Sequence, residues 1–287
     1  MAETNLIKKE DVARVRMVDF NYQFTGNLNK FMEILGVTRK IAVQEGAVLK
    51  ALKVTGTLED GSVAEGELIP LSKYVADEVP MGEAVLGKWR KATTAEAILK
   101  GGYDQAVGAT TDKLVKDVQK KIRADLFTQL ANGTGSASGA TLQPALSDAW
   151  GKLQVLFEDD AVDTVYFLNP SDVATYLGTA QITMQTAFGL NYVENFLGLG
   201  TVILSAGVPV GNFYATAKEN IVTYFINVAS GDIARAFNLT TDETGYIGIN
   251  EYPNESHAQV EDLIMSGVTF FAERIDGVVV GTIGAGA

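Results

Sequence analysis

The sequence predicts an α+β fold. Helical periodicity crowds its middle, short apolar strands fill its last third, and the two do not alternate as a repeating βαβ chain would. A hydrophobic fraction of 47% over 287 residues supplies a core for one large domain or two smaller ones. Cysteine is absent, which removes disulfides, thiolate zinc sites and a cysteine nucleophile together. Lys plus Arg total 23 against 35 Asp plus Glu, a net charge of −12, so the surface as a whole repels phosphate backbones and does not suit a dedicated nucleic-acid binder. No run approaches the roughly 18 apolar residues of a membrane helix. The N-terminal MAETNLIKKEDVARVRMVDF lacks the apolar stretch of a secretory signal, so no membrane association is expected.

Taken in order, residues 1–46 begin polar and then turn amphipathic in NLNKFMEILGV, where Leu28, Phe31, Ile34 and Leu35 recur at helical spacing before Gly36. This reads as an arm with one adhesive helix. Residues 47–92 read as a long hairpin. Leu52, Val54 and Leu58 share a strand face, Asp60-Gly61 is a tight-turn dipeptide, and EAVLGKWRK, with Trp89, is the expected returning strand. The hairpin carries about as many charges as apolar anchors, which raises the question of what it packs on.

Thr93 and Glu96 have capping-box spacing, Gly101-Gly102 interrupts the helix they start, and Asn132-Gly133 ends a second, stronger one. At about 100° per residue, Val115, Val118, Ile122 and Leu126 share one face of that second helix, and Lys113, Lys116, Lys120 and Arg123 form a basic stripe opposite. Asp112 and Asp117 lie close enough to make the stripe an ordinary solvated face, or it serves as a contact for acidic partners. The small residues of NGTGSASGATLQ, 132–143, predict a linker. Beyond it come a helix in PALSDAWGKLQVLFEDD, a buried strand TVYFL, and a helix that Asn169-Pro170 starts and Gly178 ends. Past Gly200 the expected strands are TVILSAG, GNFYATA, NIVTYFIN, GVTFFAERI and VVVGTI.

Motifs that carry chemistry are missing. There is no phosphate-binding Gly-x4-Gly-Lys loop, no dinucleotide fingerprint and no His-Glu-x-x-His helix; GTGSASG has glycines but neither the lysine nor the spacing of a hydrolase elbow. Glu158, Asp159, Asp160 and Asp163 could meet a hard cation but lack the spacing of a calcium loop, so they read as a charged helix end. The lone histidine, His257, sits among polar residues and reads as a solvated loop residue. No catalytic, cofactor or metal residue is assigned.

Read in order, these pieces resemble the major capsid proteins of tailed bacteriophages with the Hong Kong 97-type fold, especially those of phages of Gram-positive bacteria. FTGNLNKFMEILGVTRKIAVQEG resembles the N-terminal arm, and EGELIPLSKY the extended loop (E-loop). The segment from KATTAEAILKGG to FTQLANG is similar to the approach to the spine helix and the helix itself; VYFLNPSDVATYL and the late strands are similar to the axial domain. The resemblance implies an arm at 1–46, an E-loop hairpin at 47–92 and a peripheral domain at 93–143 completed by about 232–273. It also implies an axial domain at 144–231, completed by about 274–287. By the same resemblance the protein is a structural, non-enzymatic subunit that needs no cofactor. It would assemble in the host cytoplasm into pentamers and hexamers of a virion's icosahedral shell around double-stranded DNA touched at most non-specifically. A portal protein and a separate scaffolding protein are expected partners. Phe31, Leu35, Leu52, Val54, Leu58, Asp60, Gly61 and Trp89 become expected contacts between subunits, and the basic stripe an expected interior face. Some members cross-link through a lysine and an asparagine; no local motif selects among Lys50, Lys53, Lys73 and Lys88 here. A cellular encapsulin shell shares the implied fold. A hydrolase or lyase working through carboxylates would require raised carboxyl pKa values in a pocket. A phage tail-tube subunit would require a mostly β chain, for which the helical middle is too long.

Overall fold

The structure is a computed structural model that describes residues 27–37, 39–157, 162–177, 184–187, 190–228, 230–241 and 245–284, with all their side chains except those of 51–54, 79, 81, 175 and 187. Its elements run α1 (27–34), β1 (Arg39–Val43), β2 (Val48–Thr57), β3 (Lys73–Glu83), β4 (Gly87–Thr94), α2 (Ala95–Gly101) and α3 (Ala109–Leu130). Next come β5 (Gly135–Gly139), α4 (Leu142–Leu156), β6 (Thr164–Leu168), α5 (Pro170–Leu177), β7 (Gln185–Ala187), β8 (Leu190–Val193), β9 (Thr201–Leu204) and β10 (Asn212–Ala217). The chain closes with β11 (Ile221–Ile226), α6 (Gly231–Ala236), β12 (Thr240–Thr241), β13 (Ile247–Asn254), β14 (Gln259–Ser266), β15 (Thr269–Ala272) and β16 (Val278–Ile283). The expected α+β class holds.

The strands form a seven-stranded sheet in the order β5-β16-β10-β6-β9-β8-β7, a four-stranded sheet β12-β13-β14-β4, a three-stranded sheet β1-β11-β15, and the isolated pair β2-β3. TVYFL lies inside the largest sheet with every residue buried, as the apolar run that follows Thr164 requires. The Asn169 side chain accepts from the Ser171 N–H at 2.9 Å and so starts α5 ahead of Pro170. In α3 the predicted face, Val115, Val118, Ile122 and Leu126, is buried together with Leu130, and it meets Val165, Phe167 and Phe270 in the main core.

Four expectations are corrected. The 132–143 segment is not a linker, because β5 pairs in parallel with β16 at the sheet edge. Its small residues serve packing: a Cβ at Gly133 would come within 2.6 Å of the Val278 carbonyl, and one at Gly139 within 2.3 Å of the Ala145 nitrogen. The hairpin does not turn at Asp60-Gly61, since β2 pairs with β3 from Val48↔Glu83 to Thr57↔Lys73 and the loop 58–72 closes it. EAVLGKWRK does not return along β2. Ala84 and Leu86 drop into a small core with Ile226, Val228 and Met265, and β4 then joins β14, where Trp89 pairs with Ile264 and packs on the main core. The fourth correction is at α2, where the capping residue is Thr94, not Thr93; its side chain accepts from the Ala97 N–H.

Between α2 and α3 the chain runs through Gly102, at φ 76°, and a wider π-helical turn, Asp104–Gly108. The hairpin of β13 and β14 is absent from the strands that the sequence predicts.

Candidate assembly surface

The two-stranded hairpin stands apart from the other sheets, and the loop that closes it buries nothing. Leu58, Leu68, Ile69 and Leu71 are 78%, 94%, 71% and 91% exposed. Of the residues expected to touch other subunits, Leu58, Asp60 and Gly61 lie on this exposed loop, where the Asp60 carboxylate accepts from the Ser62 N–H at 2.9 Å. Leu52 and Val54 are in β2, and their side chains lie outside the described residues. Phe31 and Leu35, expected to bury themselves on a neighbour, are covered by their own chain: both are at most 1% exposed, and Phe31 meets the Phe270 ring edge-on at 5.6 Å. Trp89 is half-buried on the same core. Residues 1–26 of the expected arm lie outside the described residues.

Lys113, Lys116 and Lys120 are exposed along α3, with Lys113 paired to Asp117. Arg123 is half-buried, and burial lowers the pKa of its guanidinium. The stripe is therefore a real face but narrower than its spacing predicts.

A polar cluster that the sequence did not announce is built on β4 and β14. Consecutive residues Glu261 and Asp262 are both 1% exposed, and strand alternation sends them to opposite faces of the sheet. Glu261 accepts from the Tyr252 hydroxyl at 2.6 Å, Asn254 Nδ2 at 2.8 Å and Gln259 Nε2 at 2.6 Å, with Arg90 at 3.6 Å; these donors hold its carboxyl down to about 2. Asp262 faces Lys91 Nζ at 2.6 Å and the Thr111 hydroxyl at 2.8 Å. The same ammonium donates to the Val107 carbonyl at 2.9 Å and so ties the π-turn to the sheet. The only signal in the sequence was charge inside an otherwise strand-like QVEDLIMS, a pattern that a loop shares.

This cluster does not suit acid–base chemistry, which needs a carboxyl pushed up towards neutrality. Glu261 and Asp148 are both shifted down. No group of three His, Cys, Asp or Glu among the described residues is placed to hold a metal ion. His257 is exposed, with Nδ1 3.2 Å from Asn254 Oδ1. Asp163 is exposed near Lys218, and Glu158, Asp159 and Asp160 lie outside the described residues. No described helix is long and apolar enough to cross a membrane.

No protein-family model matches the chain, and no curated protein matches it. Solved structures do. The capsid of cyanophage A-1(L) is 12% identical, with 88% of this chain and 92% of that one covered at a TM-score of 0.56. The mature capsid of bacteriophage PhiM1 is 10% identical, with 87% and 86% covered at 0.53. A virus-like particle from Pyrococcus furiosus is 15% identical, with 91% and 97% covered at 0.51. At such identities the likeness is one of fold, and it extends over nearly the whole chain. An α+β chain with a protruding hairpin and a long helix across its core, superposing on these shells, has the Hong Kong 97-type capsid fold.

Proposed function

We propose that the chain is the major capsid subunit of a tailed phage, assembling into pentamers and hexamers of an icosahedral head around double-stranded DNA. The observation that carries this reading is the hairpin. Its loop exposes Leu58, Leu68, Ile69 and Leu71 together, a patch of a kind that single soluble domains avoid and that interfaces use. An isolated two-stranded hairpin is marginal in water, so a second copy is the natural source of its missing packing. In this reading 58–72 crosses a neighbouring subunit, the lysines of α3 face the interior, and a scaffolding protein and a portal act as partners.

The test is light scattering coupled to size-exclusion chromatography on the protein expressed alone, with negative-stain microscopy of every large fraction. Closed shells, tubes, or free pentamers and hexamers are expected; a stable monomer at all concentrations would refute the reading. A second reading, a cellular shell that stores a protein cargo, shares the same fold. Particles purified from the native source separate the two by content, double-stranded DNA for the head and protein for the store.

A further inference from the structure

Strand β5 forms one edge of the seven-stranded sheet. An open strand edge presents free N–H and C=O groups on which another chain can add a strand, and proteins blunt such edges with charged side chains, proline, bulges or a covering element. β5 reads GSASG, with no charge and no proline. Its pairing with β16 runs unbroken from Val279↔Gly135 to Ile283↔Gly139, with no bulge. The opposite edge, β7, has only three residues and leaves less to protect.

Backbone groups alternate in direction along a strand. The Gly139 carbonyl points inwards, where it accepts from the Gly284 N–H at 2.8 Å. Ser138 and Ser136, one and three residues before it, therefore turn their backbone groups out of the sheet. Side chains of α4 meet them. The Ser138 N–H donates to Asp148 Oδ2 at 3.1 Å, and the Ser136 carbonyl accepts from Lys152 Nζ at 2.8 Å. The same ammonium donates to Asp148 Oδ2 at 2.9 Å, so the two caps are joined across one helical turn. Lys152 first, and the Ser138 N–H second, hold the Asp148 carboxyl below its usual range, as a contact made to the ionised form does.

The small residues of β5 are what let α4 come so near. Ala137 is buried in one core with Ala145, Leu146 and Ala149 of the helix, and Gly139 leaves no room for a Cβ against the Ala145 backbone. At that separation even the short aspartate side chain reaches a backbone N–H of the strand.

A strand added at this edge would have to bond to the same outward N–H and C=O groups. We infer that Asp148 and Lys152 stand in for a neighbouring strand and keep the β5 edge closed to strand addition by another copy of this chain. A second copy is the fitting occupant of an opened edge, because GSASG carries no charge to repel its like across a pair of strands. The inference holds whether or not the chain builds a shell.

The test is Asp148→Lys with Lys152→Asp in the full chain. The exchanged pair can still bond to itself across one turn, but it sets an ammonium against the Ser138 N–H and a carboxylate against the Ser136 carbonyl, so neither backbone group is capped. In hydrogen exchange the Ser138 amide should exchange about fivefold faster than in the unaltered chain, the equivalent of one net hydrogen bond. Light scattering and negative-stain microscopy should show irregular aggregates that the unaltered chain does not form. Adding Ser138→Pro removes an outward N–H that β16 does not use and should abolish them; Ser136→Lys should do the same by placing a charge on the edge. If the exchanged pair unfolds the sheet, seen as faster exchange in β6 and β10 as well, Asp148→Ala decides by the same readouts. Unchanged exchange at Ser138 would show that the pair does not cap the edge. Faster exchange without aggregates would show that the open edge attracts no second copy, and aggregates that survive both edge substitutions would have grown from another surface. Each of these results overturns the inference.

Discussion

Glu261 and Asp262 occupy adjacent positions of one strand, and each is satisfied by a different mechanism. Glu261 is an ionised group held by hydrogen bonds from Tyr252, Asn254 and Gln259, with its pKa lowered from 4.5 to about 2. A carboxyl with a folded pKa below its unfolded one stabilises the fold above the unfolded value, and that contribution is lost as pH falls towards the folded value. Urea unfolding between about pH 5 and pH 2 should therefore show a falling midpoint. Glu261→Gln, which cannot ionise, should start less stable and fall less steeply; parallel slopes would mean that Glu261 is not the group responsible. Asp262 is instead held by an ion pair with Lys91, whose side chain is 17% exposed against its partner's 2%. Lys91→Met leaves a buried carboxylate uncompensated and should destabilise by about 3–5 kcal/mol, most of which Asp262→Leu in the same chain should restore. A loss below about 1 kcal/mol for Lys91→Met, the range of exposed pairs, would show that water reaches Asp262.

Elements were legible where one physical cause dominated. TVYFL has no charged residue and a continuous apolar run after Thr164 because both its faces are covered, and α3 has a clean apolar stripe because only one side of it is. The segment 132–143 misled because small residues mark both flexible chain and close packing, and composition cannot separate the two. Gly139→Ala puts a Cβ 2.3 Å from the Ala145 backbone nitrogen, which cannot yield as a side-chain tip can. It should cost about 1–3 kcal/mol in thermal or urea unfolding. Gly61→Ala, with nothing within 4 Å of the added carbon, should stay within about 0.5 kcal/mol; equal effects at the two sites would return 132–143 to being a linker. The candidate surface was half legible. Periodicity shows that a face is buried but not which molecule buries it: Phe31 and Leu35, which the family resemblance sets against a neighbour, are buried within their own chain. The exposure of the hairpin loop is legible because the segment has too few anchors to bury anything itself. The lysines of α3 can be tested directly: Lys116→Glu with Lys120→Glu spares the Lys113–Asp117 pair and should reduce scaffold-directed assembly or DNA filling. An unchanged yield of filled particles would leave that face simply solvated.

At the scale of the whole molecule, apolar burial at the hairpin tip and electrostatic repulsion pull in opposite directions. Each copy carries a net charge of −12, and at about 0.01 M salt its field extends over a Debye length of about 30 Å, comparable to the hairpin itself. Bringing five or six such copies together is then opposed at long range, before any contact forms. At about 0.15 M the Debye length shrinks to about 8 Å, and the repulsion between subunit bodies is largely screened. The apolar part of the tip, Leu58, Leu68, Ile69 and Leu71, is not weakened by screening at all, and strongly hydrated salts such as sulfate strengthen it. Repulsion should thus be the first term to vanish, and particle yield by light scattering should rise as salt is raised from about 0.01 to about 0.15 M. Sulfate should raise it further than chloride at equal ionic strength. A yield that fell steadily over the same range would mean that attraction between opposite charges outweighs both the net repulsion and the apolar contact. It would then move the main assembly force from the leucines of the tip to its carboxylates.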